Sequence, residues 1–166
     1  MRNRKNLLMG GYRIWQPGCE PIRVPNALIE DGFVTLLKML FQGDNSVIAG
    51  GGNFYIGLRD NNYSVLDTLA SITGEPTADV TYARQAVTRD AIGFPTVELL
   101  TGDGHVRSKV VEFQSLGTYP VTVQRMFLAS TLDNTGKLFS TSASFPNPVT
   151  VTSANPLFAQ FDLFLN

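Results

Sequence analysis

From residue 157 to residue 165 the chain alternates. Leu157, Ala159, Phe161, Leu163 and Leu165 hold one set of positions, and Phe158, Gln160, Asp162 and Phe164 hold the other. A period of two puts each set on one face of an extended strand, so a strand buried on its first face is expected here. The period changes between residues 26 and 43. There Leu28, Ile29, Phe33, Leu36, Leu37, Leu40 and Phe41 recur at helical spacing, with Glu30, Asp31, Lys38 and Gln42 off the stripe. This predicts one amphipathic helix near residues 27–42 whose stripe packs on the core. Asn26 stands where an N-cap oxygen would accept an orphan backbone N–H, and Gly43 where a left-handed residue commonly ends a helix. Gly32 weakens such a helix by about 1 kcal/mol.

The rest of the chain reads as strands and turns. Residues 12–16 and 22–24 form short apolar–polar alternations separated by Pro17-Gly18, and residues 54–58 are β-type. Residues 65–72 read as a short helix or an extended connection. Beyond residue 80, strands are expected at 80–87, 97–100, 109–114, 120–131 (bulged near Arg125), 138–140 and 149–152. Turns of Gly, Asn and Asp fall at 60–62, 73–76, 101–104 and 133–136. Short strands at this spacing predict a mainly β fold, an antiparallel β-sandwich or jelly-roll-like domain. Residues 1–8 read as a flexible basic arm and residues 9–166 as a single β-rich domain.

Composition adds one thing to this picture. Of 166 residues, 43% are apolar and only 16% charged, against ~25% charged in typical soluble domains. A surface so poor in charge is neutral, or apolar and covered by a partner. Eleven Phe, five Tyr and one Trp supply aromatic bulk for either role. The net charge of −1 argues against a nucleic-acid partner, which calls for a basic surface. No apolar run approaches the ~20 residues that span a bilayer, so no membrane partner is expected. Leu7-Leu8-Met9 is too short for a signal-peptide core, so synthesis and use in a cytoplasm are expected.

Candidate chemistry is sparse. His105, the one histidine, lies in a Gly-Asp-Gly-His stretch that reads as an exposed turn. With Cys19, the one cysteine, it cannot complete a His/Cys zinc site. A Cys19–His105 nucleophile pair would lack the cationic neighbour or helix N-terminus that lowers a thiol pKa. Gly50-Gly51-Gly52 is not followed by the Gly-Lys-Ser/Thr of a phosphate loop. Asp60, Asp67, Asp79, Asp90, Asp103 and Asp133 lack EF-hand spacing. The expectation is no catalysis, no cofactor, no metal and no small-molecule substrate. A glycosidase-type carboxylate pair is the one chemistry that sequence spacing leaves open. The candidate partner-binding residues are Arg2, Arg4 and Lys5 of the arm, which suit an acidic surface, and Phe158 and Phe164, which lie off the apolar face of the last strand.

Three groups of residues carry a resemblance. Phe54-Tyr55-Ile56-Gly57-Leu58, the Glu75-Pro76 loop and Tyr82-Ala83-Arg84-Gln85-Ala86-Val87 form the first. Residues 126–140, an apolar strand, an Asp133-Asn134-Thr135-Gly136 turn and a Leu138-Phe139-Ser140 return, form the second. Val149, Val151, Asn155 and Leu157 form the third. Together, over residues 54–166, they resemble small structural proteins of tailed bacteriophages. The long stretch between Arg89 and Gln124 departs from that pattern, and the helix region lies outside it. The resemblance implies a virion component made in a host bacterial cytoplasm. Its expected role is that of a capsid cement (decoration) protein, trimeric, contacting the major capsid protein and copies of itself. A tail-fibre adaptor or receptor-contacting tip module is the alternative.

Overall fold

The computed structural model describes residues 8–44, 52–60, 64–100, 103–119 and 122–165. Ten strands and one helix follow one another as β1 (Leu8–Trp15), β2 (Ile22–Leu28), α1 (Glu30–Gln42), β3 (Asn53–Arg59), β4 (Gln85–Thr88), β5 (Thr96–Leu100), β6 (Asp103–Arg107), β7 (Val111–Phe113), β8 (Arg125–Ala129), β9 (Leu138–Ser142) and β10 (Leu157–Leu165). Every pairing is antiparallel. The fold is mainly β, as the spacing of strands and turns predicts, and is a curled sheet of the β-sandwich or jelly-roll-like class.

One half runs β5-β6-β10-β1-β2, and the other runs β2-β9-β8-β3-β4. Strand β2 joins them. Its residues 22–25 pair with β1 and its residues 26–28 with β9. Pro25, which has no N–H to give, stands at the changeover, and its carbonyl accepts from Ala143 N. Strand β10 is the spine of the first half. It pairs with β1 from Leu8↔Leu165 to Trp15↔Phe158, and β6 and β7 share its other edge. β1 thus begins at Leu8, one residue inside the segment read as an arm.

Tyr12, Ile14, Ile56, Leu58, Met126, Leu128, Phe139, Leu157, Ala159 and Phe161 meet between the two halves in the main core. The β10 residues in it belong to the set predicted from alternation. A second cluster of Ile29, Leu69, Ile72, Phe127, Ala129 and Leu138 covers the opposite face of β8 and β9. Those two strands are therefore buried on both sides.

Several expectations are corrected. Asn26 is not the helix N-cap: it pairs with Ser142 within β2. Ile29 N still donates to Phe139 O at 3.0 Å, so the ladder holds the chain extended through Ile29 and α1 starts only at Glu30. Gly43 does end the helix in the left-handed region, at φ 65°. Residues 65–72 form turns closed by bonds such as Ser71 N to Thr68 O rather than a helix. Of the expected strand at 120–131, residues 125–129 form β8, Val123 makes an isolated bridge to Val149, and residues 120–121 lie outside the described residues; the Arg125 guanidinium donates to the Ser142 carbonyl and Ser144 Oγ. The register irregularity falls at Leu128/Ala129, not at Arg125. Residues 149–152 contribute isolated bridges only, Val149 to Val123 and Thr152 to Thr118.

Candidate functional site

Helix α1 carries the most unusual surface of the domain. Its contact with β9 is made where it has least side chain: a Cβ on Gly32 would collide with the Phe139 backbone. The residue read as a weak point in the helix is thus what lets two backbones meet. Thr35 is buried beside it, with Oγ1 donating to Asp31 O at 2.7 Å, and Leu36 and Met39 reach the main core. This orientation turns much of the predicted stripe outward. Phe33, Val34, Leu37 and Phe41 are exposed, Phe41 to 81%. They sit three, four and eight residues apart and so form one continuous face. Glu30, three and four residues before Phe33 and Val34, and Lys38 are the exposed charges beside them. The expected packing of Phe33, Leu37 and Phe41 on the core is therefore overturned, because the Gly32–Phe139 contact fixes which side of the helix faces inward.

Phe158 and Phe164 lie on the face of β10 that the alternation assigns them, half-buried by neighbours in the same chain. Phe158 stacks on Trp15 at 5.8 Å. Phe164 stacks on His105 at 4.4 Å, and the Arg23 guanidinium lies 4.7 Å from its ring centre. His105 itself is a correction. It is 2% exposed and lies within β6, opposite Phe164 on β10 and Glu98 on β5. Its Nδ1 is 3.2 Å from Glu98 Oε1 and its Nε2 3.3 Å from Asp162 Oδ1, and Arg107 Nε donates to that same Asp162 oxygen at 2.7 Å. Both ring nitrogens thus face carboxylates, so the Cys19–His105 pair does not form. Cys19 is exposed in the turn between β1 and β2. Arg2, Arg4, Lys5, Gly50 and Gly51 lie outside the described residues.

A buried polar clasp joins the Glu75 loop, Tyr82 and Arg84 before β4, and the turn between β8 and β9. Arg84, 7% exposed, gives Glu75 two bonds, Nε to Oε2 at 3.0 Å and NH2 to Oε1 at 2.6 Å. Its remaining donors reach the Asp133 carbonyl and the Asn134 side chain in the turn between β8 and β9, and its guanidinium lies 5.2 Å from the Phe127 ring centre. Tyr82 OH donates to Glu75 Oε2 at 2.8 Å and accepts from Leu58 N at 3.0 Å. Burial pushes the Tyr82 phenol well above its ordinary range, and the charge on Glu75 pushes the same way. Bidentate geometry and full hydrogen bonding are what let such a pair stay buried. The clasp holds a loop, β4 and a hairpin together. Its groups are spent on one another, an arrangement suited to holding shape.

Among the described residues no cluster of three or more His, Cys, Asp or Glu side chains is placed to hold a metal ion. No helix among them is long and apolar enough to cross a membrane. No protein-family model matches the chain, and no curated protein matches it.

Proposed function

We propose that the chain is a structural component of a virus particle, a capsid cement protein that binds the outer shell of a phage head. In this reading the outward face of α1 docks on the major capsid protein. The observation that carries it is that face: four large apolar side chains, one of them almost wholly exposed, on a helix whose orientation is fixed by a backbone contact. Contiguous apolar surface of this kind marks an interaction site. The low charge fraction suits a surface covered in a shell, and the resemblance read in residues 54–166 implies a virion part of one kind or another. Contacts of modest strength suffice there, because many copies repeated over a particle add up by avidity. The clasp around Arg84 supports a mechanical role over a catalytic one, because it is built of groups that satisfy each other. Copies of this chain are placed around threefold positions, as trimers.

Quantitative protein analysis of separated heads and tails tests the proposal. Hundreds of copies in tail-less heads are expected. A handful of copies confined to tails overturns the cement reading in favour of a tail adaptor. Absence from both overturns the virion assignment.

A further inference from the structure

Between the two halves of the sandwich lies a cleft of about 580 Å³. Phe54, Leu128 and Phe139 line it from one half, Val106, Phe161 and Leu163 from the other, and Leu36 of α1 closes one side. This size falls within the ~300–1,000 Å³ of small-molecule sites. The lining is almost wholly hydrocarbon. Its one inward hydroxyl, on Ser140, is already engaged with Tyr12 OH at 3.0 Å. An occupant with hydrogen-bonding groups along its body would find no partners there, so the body must be apolar.

The mouth is different. It is formed by residues 89–95, a tightly built turn. Asp90 Oδ1 accepts from Thr88 Oγ1 at 2.7 Å, Ile92 N at 2.9 Å and Gly93 N at 2.8 Å. Lys109 N donates to Gly93 O, and a Cβ on Gly93 would collide with the Thr88 carbonyl. The carboxylate of Asp90 is thus committed to its own loop. Arg89 is not: its backbone N–H is tied to Gly52 O at 2.7 Å, its guanidinium lies 5.6 Å from the Phe54 ring centre, and among the described residues it forms no ion pair. Val97, which also lines the cleft, is an exposed apolar group. A tightly built turn carrying an exposed cation, free of ion pairs among the described residues, thus borders an apolar cleft.

We propose that this cleft binds a single-chain amphiphile with an anionic head, a long-chain carboxylate, its tail between the sheets and its head at Arg89. It is a ligand rather than a substrate, and the inference stands apart from the virion assignment.

Titration of the purified full chain with laurate, below its micelle-forming concentration, tests the proposal. Parallel titrations use dodecanol and vesicles of phosphatidylglycerol. Saturable binding of one laurate per chain is expected. Arg89→Glu, a surface change, is expected to weaken laurate roughly three- to tenfold while leaving dodecanol unchanged. Leu163→Phe, which fills the cleft, is expected to weaken both. If Leu163→Phe fails to fold, Arg89→Glu alone decides. No saturable laurate binding overturns the proposal, as does binding to vesicles only, or equal laurate affinity in Arg89→Glu. Copy number in the particle is read separately, so each proposal fails or stands on its own measurement.

Discussion

Helix α1 and strand β10 both carry apolar stripes plain in the sequence, and the fold uses them in opposite ways. On β10, Leu157, Ala159 and Phe161 go into the core, and Phe161 meets Tyr12 edge to face at 5.4 Å. On α1, Phe33, Leu37 and Phe41 go to the surface, while Gly32 and Thr35 go in. Periodicity says which residues share a face. What covers that face is set by partners far away in the chain: Phe139 for α1, Tyr12 for β10. Apolar burial should therefore dominate stability at β10, whereas on α1 it rests with Leu36 and Met39 and the outward residues should add little.

The largest losses are expected where buried groups depend on each other. Arg84→Met leaves the Glu75 carboxylate buried without its cation and should cost about 3–5 kcal/mol, measured by urea unfolding. A Glu75→Gln, Arg84→Met double variant should recover part of that. Phe161→Ala on β10 should cost about 3–5 kcal/mol by emptying a core site. If it costs no more than a change on the α1 surface, the contrast between the two stripes fails. Gly32→Ala should be next, at about 1–3 kcal/mol, because the added Cβ must push α1 off β9. Alanine normally stabilises a helix, so a neutral or stabilising result would mean that the close approach to Phe139 is wrong. Smaller still is Lys137→Met, which removes the 2.8 Å bond from Lys137 Nζ to Asp31 Oδ1 between α1 and the start of β9. Both groups are partly exposed, so under about 1 kcal/mol is expected; a larger loss in thermal unfolding would show that this bond helps to set the helix orientation.

What was legible in the sequence was local. β10 matches its predicted bounds, β3 contains residues 54–58, and the turn at residues 133–136 joins β8 to β9, because alternation and side-chain turn chemistry, here Asp133 Oδ1 accepting from Thr135 N at 3.0 Å, are properties of neighbouring residues. The helix and its end at Gly43 were legible for the same reason. Its start was not, since Asn26 is a good cap by residue type and is overruled by pairing with Ser142. His105 was misread because Gly-Asp-Gly has turn chemistry, whereas its place in β6 depends on Glu98 and on Asp162 and Phe164 of β10. The candidate face was hidden for a similar reason: its residues were all recognised, but as core, and only the Gly32–Phe139 contact reverses them. A signal did exist in the glycine itself, which stands amid large apolar residues where a helix gains nothing from it. Arg84 and Glu75 are nine residues apart, and nothing in that spacing announces a buried pair.

Under the proposed function, the outward face of α1 serves attachment and not folding. This is tested most directly by one paired measurement on the variant Phe33→Gln, Leu37→Gln, Phe41→Gln, in which good helix formers replace the apolar groups: its thermal unfolding, and its retention on heads stripped of the wild-type chain. An unfolding temperature within about 2 °C of wild type is expected, since exposed positions contribute little, together with loss of retention. An unfolding temperature lower by more than about 6 °C with retention at the wild-type level would contradict it, because the stripe would then belong to the core and the docking surface would have to lie elsewhere.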